Sequence, residues 1–241
     1  MVPGPIPSPN IWNWPEVYER ENTAQDADGA IWTALREAVP WDGLDVLDVG
    51  CGDGFHLPVF AERAASVIGV EPHPPLVQRA RDRIADLPRV RVREADAAAL
   101  PLPDASVDLV HARTAYFFGP GCEPGLAEAD RVLRPGGAIA IVDLDTTVAP
   151  YGTWMRLDIP HYDPAKAERF FTGQGFTTRR VATVWRFPDR TTCEAVLRIE
   201  FSRAVADHAI ASVPGMTIPV GYRLHVRVAS SNVSSPLGRE Q

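Results

Sequence analysis

The segment VLDVGCGDG, residues 46–54, constrains the fold of this chain more than any other part of the sequence. Its β-rich start leads into Gly50, Gly52 and Gly54, so a strand ends in a turn that glycines make without steric cost. A helix is predicted to follow from Leu57, and the N–H groups at its start favour a polar ligand. Ligands of open α/β sheets bind at this carboxyl end of the strands. The segment therefore predicts the ligand-binding strand, turn and helix of a parallel sheet.

β-rich runs and helical runs alternate along the rest of the chain. Strands are predicted at residues 45–49, 66–70, 90–93, 107–112, 138–144, 177–187 and 221–228. Helices are predicted from Pro15 through Tyr18 and at 28–39, 57–65, 74–87, 124–133, 163–174 and 191–211. This alternation indicates right-handed βαβ units around a parallel sheet. The arginines of the last run, GYRLHVRV, favour an edge or partly exposed strand.

The spacing of the glycines disfavours a dinucleotide as the ligand. A dinucleotide fingerprint G-x-G-x-x-G that starts at Gly50 requires glycine at position 55, which is Phe55. The chain instead has Asp48 two residues before Gly50, and a carboxylate suits a ligand with a positive amine. No GK[ST] phosphate loop occurs.

Two further acids follow the next two predicted strands. Glu71 ends the run VIGVE, where a carboxylate can accept hydrogen bonds from both ribose hydroxyls. Asp96 and Ala97 follow the third strand, where an acid can accept from an adenine amino group and a backbone N–H can donate to the ring. A glycine turn in LRPGGAIAIVD, residues 133–143, leads into the fifth strand. The acids therefore predict a nucleoside ligand.

Taken in order, VLDVGCGDG, VIGVEP, EADAAALPLPDASVDLV and RVLRPGGAIAIVD resemble the successive motifs of class I S-adenosylmethionine-dependent methyltransferases. The resemblance is closest to the methyltransferase-11 group of small-molecule type, and residues 44–145 carry it best. It implies an α/β fold with a Rossmann-like, doubly wound sheet of seven strands in the order 3-2-1-4-5-7-6. The last strand would be antiparallel, and a helical cap would precede the sheet.

The resemblance also implies which residues bind S-adenosylmethionine and its product S-adenosylhomocysteine. These are Asp48, Gly50, Cys51 and Gly52 along the methionine portion, Glu71 and Pro72 at the ribose, and Asp96 and Ala97 at the adenine. Ala112 and Arg113 would lie near the methionine end or the substrate mouth. The segment NWPEVYEREN resembles the N-terminal lid of such enzymes, which implies that Tyr18 contacts the cofactor.

The predicted domain organisation is a single methyltransferase domain over residues 11–229. Within it, we expect a helical cap or lid at 11–41, a cofactor-binding core at 42–145, and an acceptor-side insert with the C-terminal strands at 146–229. Residues 1–10 form a flexible Pro-rich leader in this prediction, and 230–241 a disordered tail.

The predicted reaction is methyl transfer to a small-molecule acceptor by in-line displacement. A sulfonium is already a strong electrophile, so alignment supplies most of the catalysis and no triad is needed. If the acceptor arrives protonated, His111, Tyr116 and His161 are the candidates for a base. The residues leave oxygen, nitrogen and carbon acceptors open. A non-catalytic S-adenosylmethionine-binding protein and an NAD-dependent oxidoreductase are the alternatives.

Composition limits the partners. The 31 acids exceed the 24 bases and give a net charge of −7, which disfavours nucleic acid and anionic membranes. The six histidines show no metal-binding spacing, so no metal is expected. Three scattered cysteines and no signal-peptide pattern favour a reducing, cytoplasmic location. A monomer and a homodimer both remain open.

Overall fold

The computed structural model describes residues 8–229. Its strands are β1 (Asp45–Val49), β2 (Ser66–Glu71), β3 (Val90–Glu94), β4 (Val107–Arg113), β5 (Leu133–Leu144), β6 (Thr177–Arg186) and β7 (Thr217–Val228). Its helices are α1 (Pro9–Asn13), α2 (Pro15–Ala24), α3 (Ala30–Ala38), α4 (Leu57–Ala61), α5 (Pro74–Arg83), α6 (Glu123–Val132), α7 (Tyr151–Asp158), α8 (Pro164–Gly173), α9 (Arg190–Glu200) and α10 (Arg203–Ser212).

The seven strands form one sheet in the order β3-β2-β1-β4-β5-β7-β6. Strands β1 to β5 pair in parallel, and β7 runs antiparallel to both of its neighbours, β5 and β6. The predicted strand order and the antiparallel last strand are confirmed. The carboxyl ends of β1 to β5 consequently share one edge of the sheet, where the fold places ligands.

Alternate residues of the central strands enter two apolar layers, one on each face of the sheet. Val46 of β1 packs in one layer with Leu109 and Ala140. Its neighbour Leu47 packs in the other with Val110. Side chains of a strand point alternately to opposite faces, so a strand covered by helices on both sides is apolar throughout. The apolar residues on both faces of β1 and β4 have this physical cause.

The last strand is not at an edge, and the prediction from its arginines is wrong. β7 lies between β5 and β6, and Arg223 is completely buried. Its register partner on β5 is Asp143. The two side chains form an ion pair, with Arg223 Nη2 at 2.5 Å from Asp143 Oδ2. The arginine is tolerated inside the sheet because a carboxylate on the neighbouring strand neutralises it.

The helix predicted over 191–211 is two helices. α9 ends at Glu200, Phe201 is extended, and α10 begins at Arg203. The backbone N–H of Ser202 donates to the Asp158 carboxylate, at 3.1 Å from Oδ1, which supplies a partner outside the helix. The break turns the chain at Glu200, whose side chain faces the functional site described below.

The segment before β1 holds three helices, where two were predicted. α1 starts at Pro9, two residues before the boundary predicted for the Pro-rich leader. Residues 1–7 of that leader and the whole predicted tail, 230–241, lie outside the described residues. Within 8–229, no helix combines the length and the hydropathy that a membrane span requires. α1 and α2 lie over the carboxyl edge of the sheet, and we call them the roof.

Candidate functional site

A cavity of about 380 Å³ lies between the roof and the carboxyl edge of the sheet. Its lining includes residues at the ends of all five parallel strands, namely Gly50 after β1, Glu71 of β2, Asp96 after β3, Thr114 after β4 and Leu144 of β5. Its size falls in the range of about 300–1,000 Å³ that is typical of small-ligand sites. The cavity therefore crosses the sheet edge from β3 to β5.

The floor of the cavity is the glycine turn, residues 50–54, that the sequence predicted. Gly50 has φ +71° and Gly52 has φ +58°, in the left-handed region where glycine is favoured. A Cβ on Gly50 would stand 2.5 Å from the Cβ of Ala115, so the β1 and β4 ends approach closely only because this side chain is absent. The N–H groups of Gly50 and Cys51 both donate to the Val70 carbonyl oxygen, at 2.8 and 3.0 Å.

Glu71 projects into the cavity from the end of β2. Its Oε2 accepts from the Gly52 N–H at 3.1 Å, and its Oε1 accepts from the His73 N–H at 3.0 Å. Burial raises the pKa of Glu71, and the two backbone N–H groups oppose that rise. Each carboxylate oxygen keeps a further lone pair, so the fixed side chain can accept from two neighbouring hydroxyl groups of a ligand.

The β3 end of the cavity holds Asp96 and Ala97, and Pro72 lines the same region. Asp96 Oδ1 accepts from the Ala98 N–H at 2.8 Å, which orders the turn after β3. Cys51 also lines the cavity, and burial raises the pKa of its thiol well above the ordinary value, which keeps the group neutral. This end of the site combines an acid, a backbone turn and apolar surface.

The roof is joined to α5 and to the loop before it by stacking and by ion pairs. Trp12 of α1 stacks on His73 with the ring centroids 4.4 Å apart. Glu16 of α2 pairs with Arg79 of α5 at 2.9 Å. Arg83 pairs with Glu19 of α2 and, at 3.1 Å, with Asp53 of the glycine turn. These contacts hold the roof over the Glu71 end of the cavity.

Asp53 predicts a pH-dependent stability. Burial raises its pKa to about 6, helped by Glu19 and opposed by Arg83. An acid whose pKa is higher in the folded than in the unfolded state stabilises the fold below its unfolded pKa, and this contribution is lost as pH rises through about 6. Wild type should therefore lose about 1 kcal/mol of unfolding free energy between about pH 5 and about pH 7.5 through this group. Because asparagine does not ionise, Asp53→Asn should not show this loss, and its stability relative to wild type should rise by that amount.

Urea unfolding of both proteins at the two pH values measures this difference. Glu16→Gln on the exposed side of α2 is the matched control, because Glu16 is not buried. It is expected to differ from wild type by the same amount at both pH values. A constant difference for Asp53→Asn as well would contradict the prediction.

Under the roof, the β4 and β5 end of the cavity carries a chain of polar side chains. Gln25 Nε2 donates to Glu21 Oε1 at 2.8 Å, and Arg113 Nη2 donates to Gln25 Oε1 at 2.9 Å. Glu21 is 2% exposed, although both it and Arg113 line the cavity. Tyr18 lines the cavity one helical turn before Glu21. This end therefore places buried charges of both signs beside the strand ends.

The structure brings most of the predicted site residues together. The predicted residues that line the cavity are Tyr18, Gly50, Cys51, Gly52, Glu71, Pro72, Asp96, Ala97, Arg113 and Tyr116. Tyr116 follows β4, and burial raises the pKa of its phenol. The site is thus built from the residues of the predicted glycine turn, the two strand-end acids and one residue of the roof.

Asp48, His111, Ala112 and His161 are not among the lining residues. Asp48 Oδ1 and His111 Nδ1 lie 2.7 Å apart beneath the turn, and both residues are buried. Ala112 packs in the apolar layer beside Val110, and His161 is exposed. The Asp48 carboxylate is therefore engaged with His111, and neither histidine reaches the cavity as a base.

Several lining residues were absent from the prediction. Glu21, Asn22 and Gln25 follow Tyr18 by three, four and seven residues, which is the spacing of one helix face. The sequence could therefore have predicted that they share the Tyr18 face of α2. Glu200 and His56 gave no such signal, because tertiary packing brings α9 and the residue before α4 to the cavity. Burial lowers the pKa of His56 well below its ordinary value, which keeps this imidazole neutral.

Within the described residues, no group of three potential metal ligands comes together. A doubly wound sheet carries a cavity at its carboxyl edge, with a glycine turn and two strand-end acids. That combination is the arrangement in which open α/β sheets bind small ligands.

Comparison with known proteins finds a match over the middle of the chain. Residues 47–141 match the family Methyltransf_11, a methyltransferase domain. A probable S-adenosylmethionine-dependent methyltransferase of Mycolicibacterium smegmatis is 39% identical over 99 residues, which cover 41% of this chain and 37% of that protein. Residues 47–141, less than half of the chain, are therefore similar to a methyltransferase domain.

Solved structures share the fold. The YcgJ protein of Bacillus subtilis aligns with a TM-score of 0.60 at 18% identity, over 84% of this chain and 99% of that one. Geranyl diphosphate C-methyltransferase of Streptomyces coelicolor aligns with a TM-score of 0.57 at 17% identity, over 88% and 82%. The first curated relatives are matched over only 31% to 62% of their own length.

Proposed function

We propose that this protein transfers a methyl group from S-adenosylmethionine to a small-molecule acceptor. The observation that carries the proposal is Glu71, which is held at the end of β2 by two backbone N–H groups and faces a cavity floored by the glycine turn. A fixed carboxylate at this position suits the two hydroxyl groups of a ribose. The methyltransferase family of residues 47–141 supports the same cofactor.

The lining of the cavity supports this cofactor. Gly50, Cys51 and Gly52 would line the methionine portion, since all three residues line the cavity floor. Glu71 and Pro72 would contact the ribose. Asp96 and Ala97 would contact the adenine, and Tyr18 and Arg113 would lie toward the methionine end. Asp48 would support the turn from beneath through its bond to His111.

The bound cofactor supplies an electrophilic methyl group on a sulfonium. The protein's part is then to align acceptor and methyl group, and orientation of this kind can lower a barrier by about 7–11 kcal/mol. The roof excludes water from the reacting end, since Tyr18 and Glu21 of α2 close the cavity there. Among the three bases predicted from the sequence, only Tyr116 lines the cavity.

Enclosure supports a small acceptor. The cavity holds about 380 Å³ and lies under two helices, which is the scale of a small-molecule site and not of a surface that binds a folded macromolecule. In this proposal, residues 11–41 act as the lid, 42–145 hold the cofactor, and 146–229 complete the acceptor side.

Calorimetric titration with S-adenosylhomocysteine tests the proposal. We expect wild type to bind it and Glu71→Ala to bind about 1–3 kcal/mol more weakly, or about 5- to 150-fold, because the ribose loses its acceptor. Glu94→Ala is the matched control, since Glu94 is the exposed register partner of Glu71 on β3. It is expected to bind like wild type.

A parallel titration with NAD separates the alternatives. Binding of NAD in place of S-adenosylhomocysteine would favour an oxidoreductase and overturn the proposal. Binding of S-adenosylhomocysteine without methyl transfer to any small molecule would favour a non-catalytic binding protein.

A further inference from the structure

Two carboxyl groups from distant parts of the chain meet at one end of the cavity. Glu21 belongs to α2 and Glu200 to the last turn of α9, and both line the cavity. Glu21 is connected through Gln25 to Arg113 at the end of β4. Glu200 accepts a hydrogen bond from Tyr151 of α7, which follows β5. The two acids, here named the carboxyl pair, therefore lie at the β4 and β5 end of the site.

The opposite end is the one that suits a nucleoside. Asp96 follows β3 and Glu71 ends β2, and the sheet order separates these strands from β5 by β1 and β4. A cofactor that extends from Asp96 across the glycine turn reaches β4 with its sulfonium end. The carboxyl pair consequently lies beyond the reacting end, where an acceptor must be.

The two carboxyl groups differ in how many of their oxygens accept a hydrogen bond. Glu200 Oε1 accepts from Asn10 Nδ2 at 2.6 Å, and its Oε2 accepts from the Tyr151 hydroxyl at 2.5 Å. Glu21 Oε1 accepts from Gln25, whereas Glu21 Oε2 is buried and accepts from no other group of residues 8–229. A buried oxygen without a hydrogen-bond donor raises the free energy of the folded protein. A ligand that brings an N–H or O–H group to Glu21 Oε2 would remove this cost.

The surroundings of Glu21 favour its protonated form. Burial raises the pKa of Glu21 well above its ordinary value, and the neighbouring Glu200 carboxyl group raises it further. Other groups that face Glu21 are Tyr18 of α2, Tyr151 of α7, Tyr222 of β7 and Arg113 of β4. The phenols have raised pKa values and stay neutral, so Arg113 is the one cation among these groups.

We propose that the carboxyl pair is the acceptor subsite and that the acceptor is an amine that enters as its ammonium ion. This inference rests on the proposed methyl transfer and names its substrate class. An ammonium brings three N–H donors and a positive charge, which match the unpartnered Glu21 oxygen and the charge of the pair. A hydroxyl acceptor brings one donor and no charge.

The reaction balances with these groups alone. The ammonium gives one proton to the carboxyl pair and becomes a neutral amine with a free lone pair. That lone pair forms the new N–C bond while the C–S bond breaks and leaves its electron pair on sulfur. The products are a methylated ammonium ion and S-adenosylhomocysteine.

The experiment compares an amine with its neutral counterpart on protein saturated with S-adenosylhomocysteine. The probes are 2-phenylethylamine and 2-phenylethanol, and the proteins are wild type, Glu21→Gln and Glu200→Gln. Glu194→Gln is the matched control, since Glu194 lies on α9 away from the cavity and pairs with Arg190 at the surface. We expect wild type and the control to prefer the amine by about tenfold or more, and both carboxyl-pair variants to lose that preference.

A second readout reports the proton that the raised pKa of Glu21 retains. Titration at about pH 7 in two buffers of different ionisation enthalpy measures proton release, because the buffer takes up each proton that leaves the protein. We expect the amine to displace a proton from the carboxyl pair in wild type and none in Glu21→Gln. The alcohol is expected to displace none in either protein.

The outcomes separate this inference from the proposed function. Failure of S-adenosylhomocysteine to bind wild type contradicts the proposed function itself. Normal cofactor binding without a preference for the amine overturns the amine subsite alone. Weaker S-adenosylhomocysteine binding in Glu21→Gln and Glu200→Gln, with no change in probe binding, would assign the pair to the amino group of the cofactor and also overturn the inference.

Discussion

Arg223→Met is expected to lower the free energy of unfolding by about 3–5 kcal/mol, because it leaves the carboxylate of Asp143 buried without its cation. Arg223 is fully buried between β5 and β6, and its Nη2 lies 2.5 Å from Asp143 Oδ2. Burial already raises the pKa of Asp143, and Arg223 opposes that rise. Urea unfolding followed by circular dichroism measures the change.

Two further variants test the cause of this loss. Arg223→Met combined with Asp143→Asn removes both charges, so we expect it to cost less than the sum of the single changes. Arg198→Met removes a half-exposed arginine that pairs with Asp207 at 2.9 Å, and its cost is expected to stay within about 1 kcal/mol. An Arg223→Met loss as small as that of Arg198→Met would show that the buried pair contributes little.

Gly50→Ala is expected to cost about 2–5 kcal/mol of stability and to reduce S-adenosylhomocysteine binding strongly. Gly50 has φ +71°, which costs an L-residue about 1–2 kcal/mol. The added Cβ would also stand 2.5 Å from the Ala115 Cβ, and overpacking of this kind costs about 1–3 kcal/mol. Relief of the clash requires the β1 and β4 ends to separate, which changes the floor of the cavity.

Gly43→Ala is the matched control for the backbone contribution. Gly43 has φ +73° and no heavy atom within 4 Å of a Cβ built on it. It is expected to show the left-handed cost of about 1–2 kcal/mol alone and to bind S-adenosylhomocysteine like wild type. Equal effects of the two substitutions would mean that the contact with Ala115 is not decisive.

The sheet could be predicted from the sequence because its central strands are buried on both faces. Runs such as DVLDV and AIAIVDL are rich in apolar and β-branched residues, and the motifs between them resemble one family in order. The position of β7 could not be predicted in the same way. Its arginines look like those of an exposed edge, and only the pairing of Arg223 with Asp143 across two strands makes an interior position possible.

The candidate site also contains residues that the sequence predicted and residues that it could not predict. The glycine turn and Glu71 were predicted, because each follows directly from a strand end. Glu200 could not be, since the extended Phe201 ends α9 at that residue and packing then brings its side chain to α2. Asp48 was predicted as a ligand contact, but the sequence contains no sign that His111 occupies its carboxylate.

The roof makes the two ends of the cavity energetically dependent on each other. Tyr18 and Glu21 lie one turn apart on α2, and Trp12 of α1 stacks over the Glu71 end. A first ligand that restrains these helices reduces their conformational entropy, which weakens its own binding. A second ligand then binds to helices that are already ordered and does not lose that free energy again. Cofactor and acceptor should consequently bind with positive cooperativity, and each should raise the affinity of the protein for the other by the same factor.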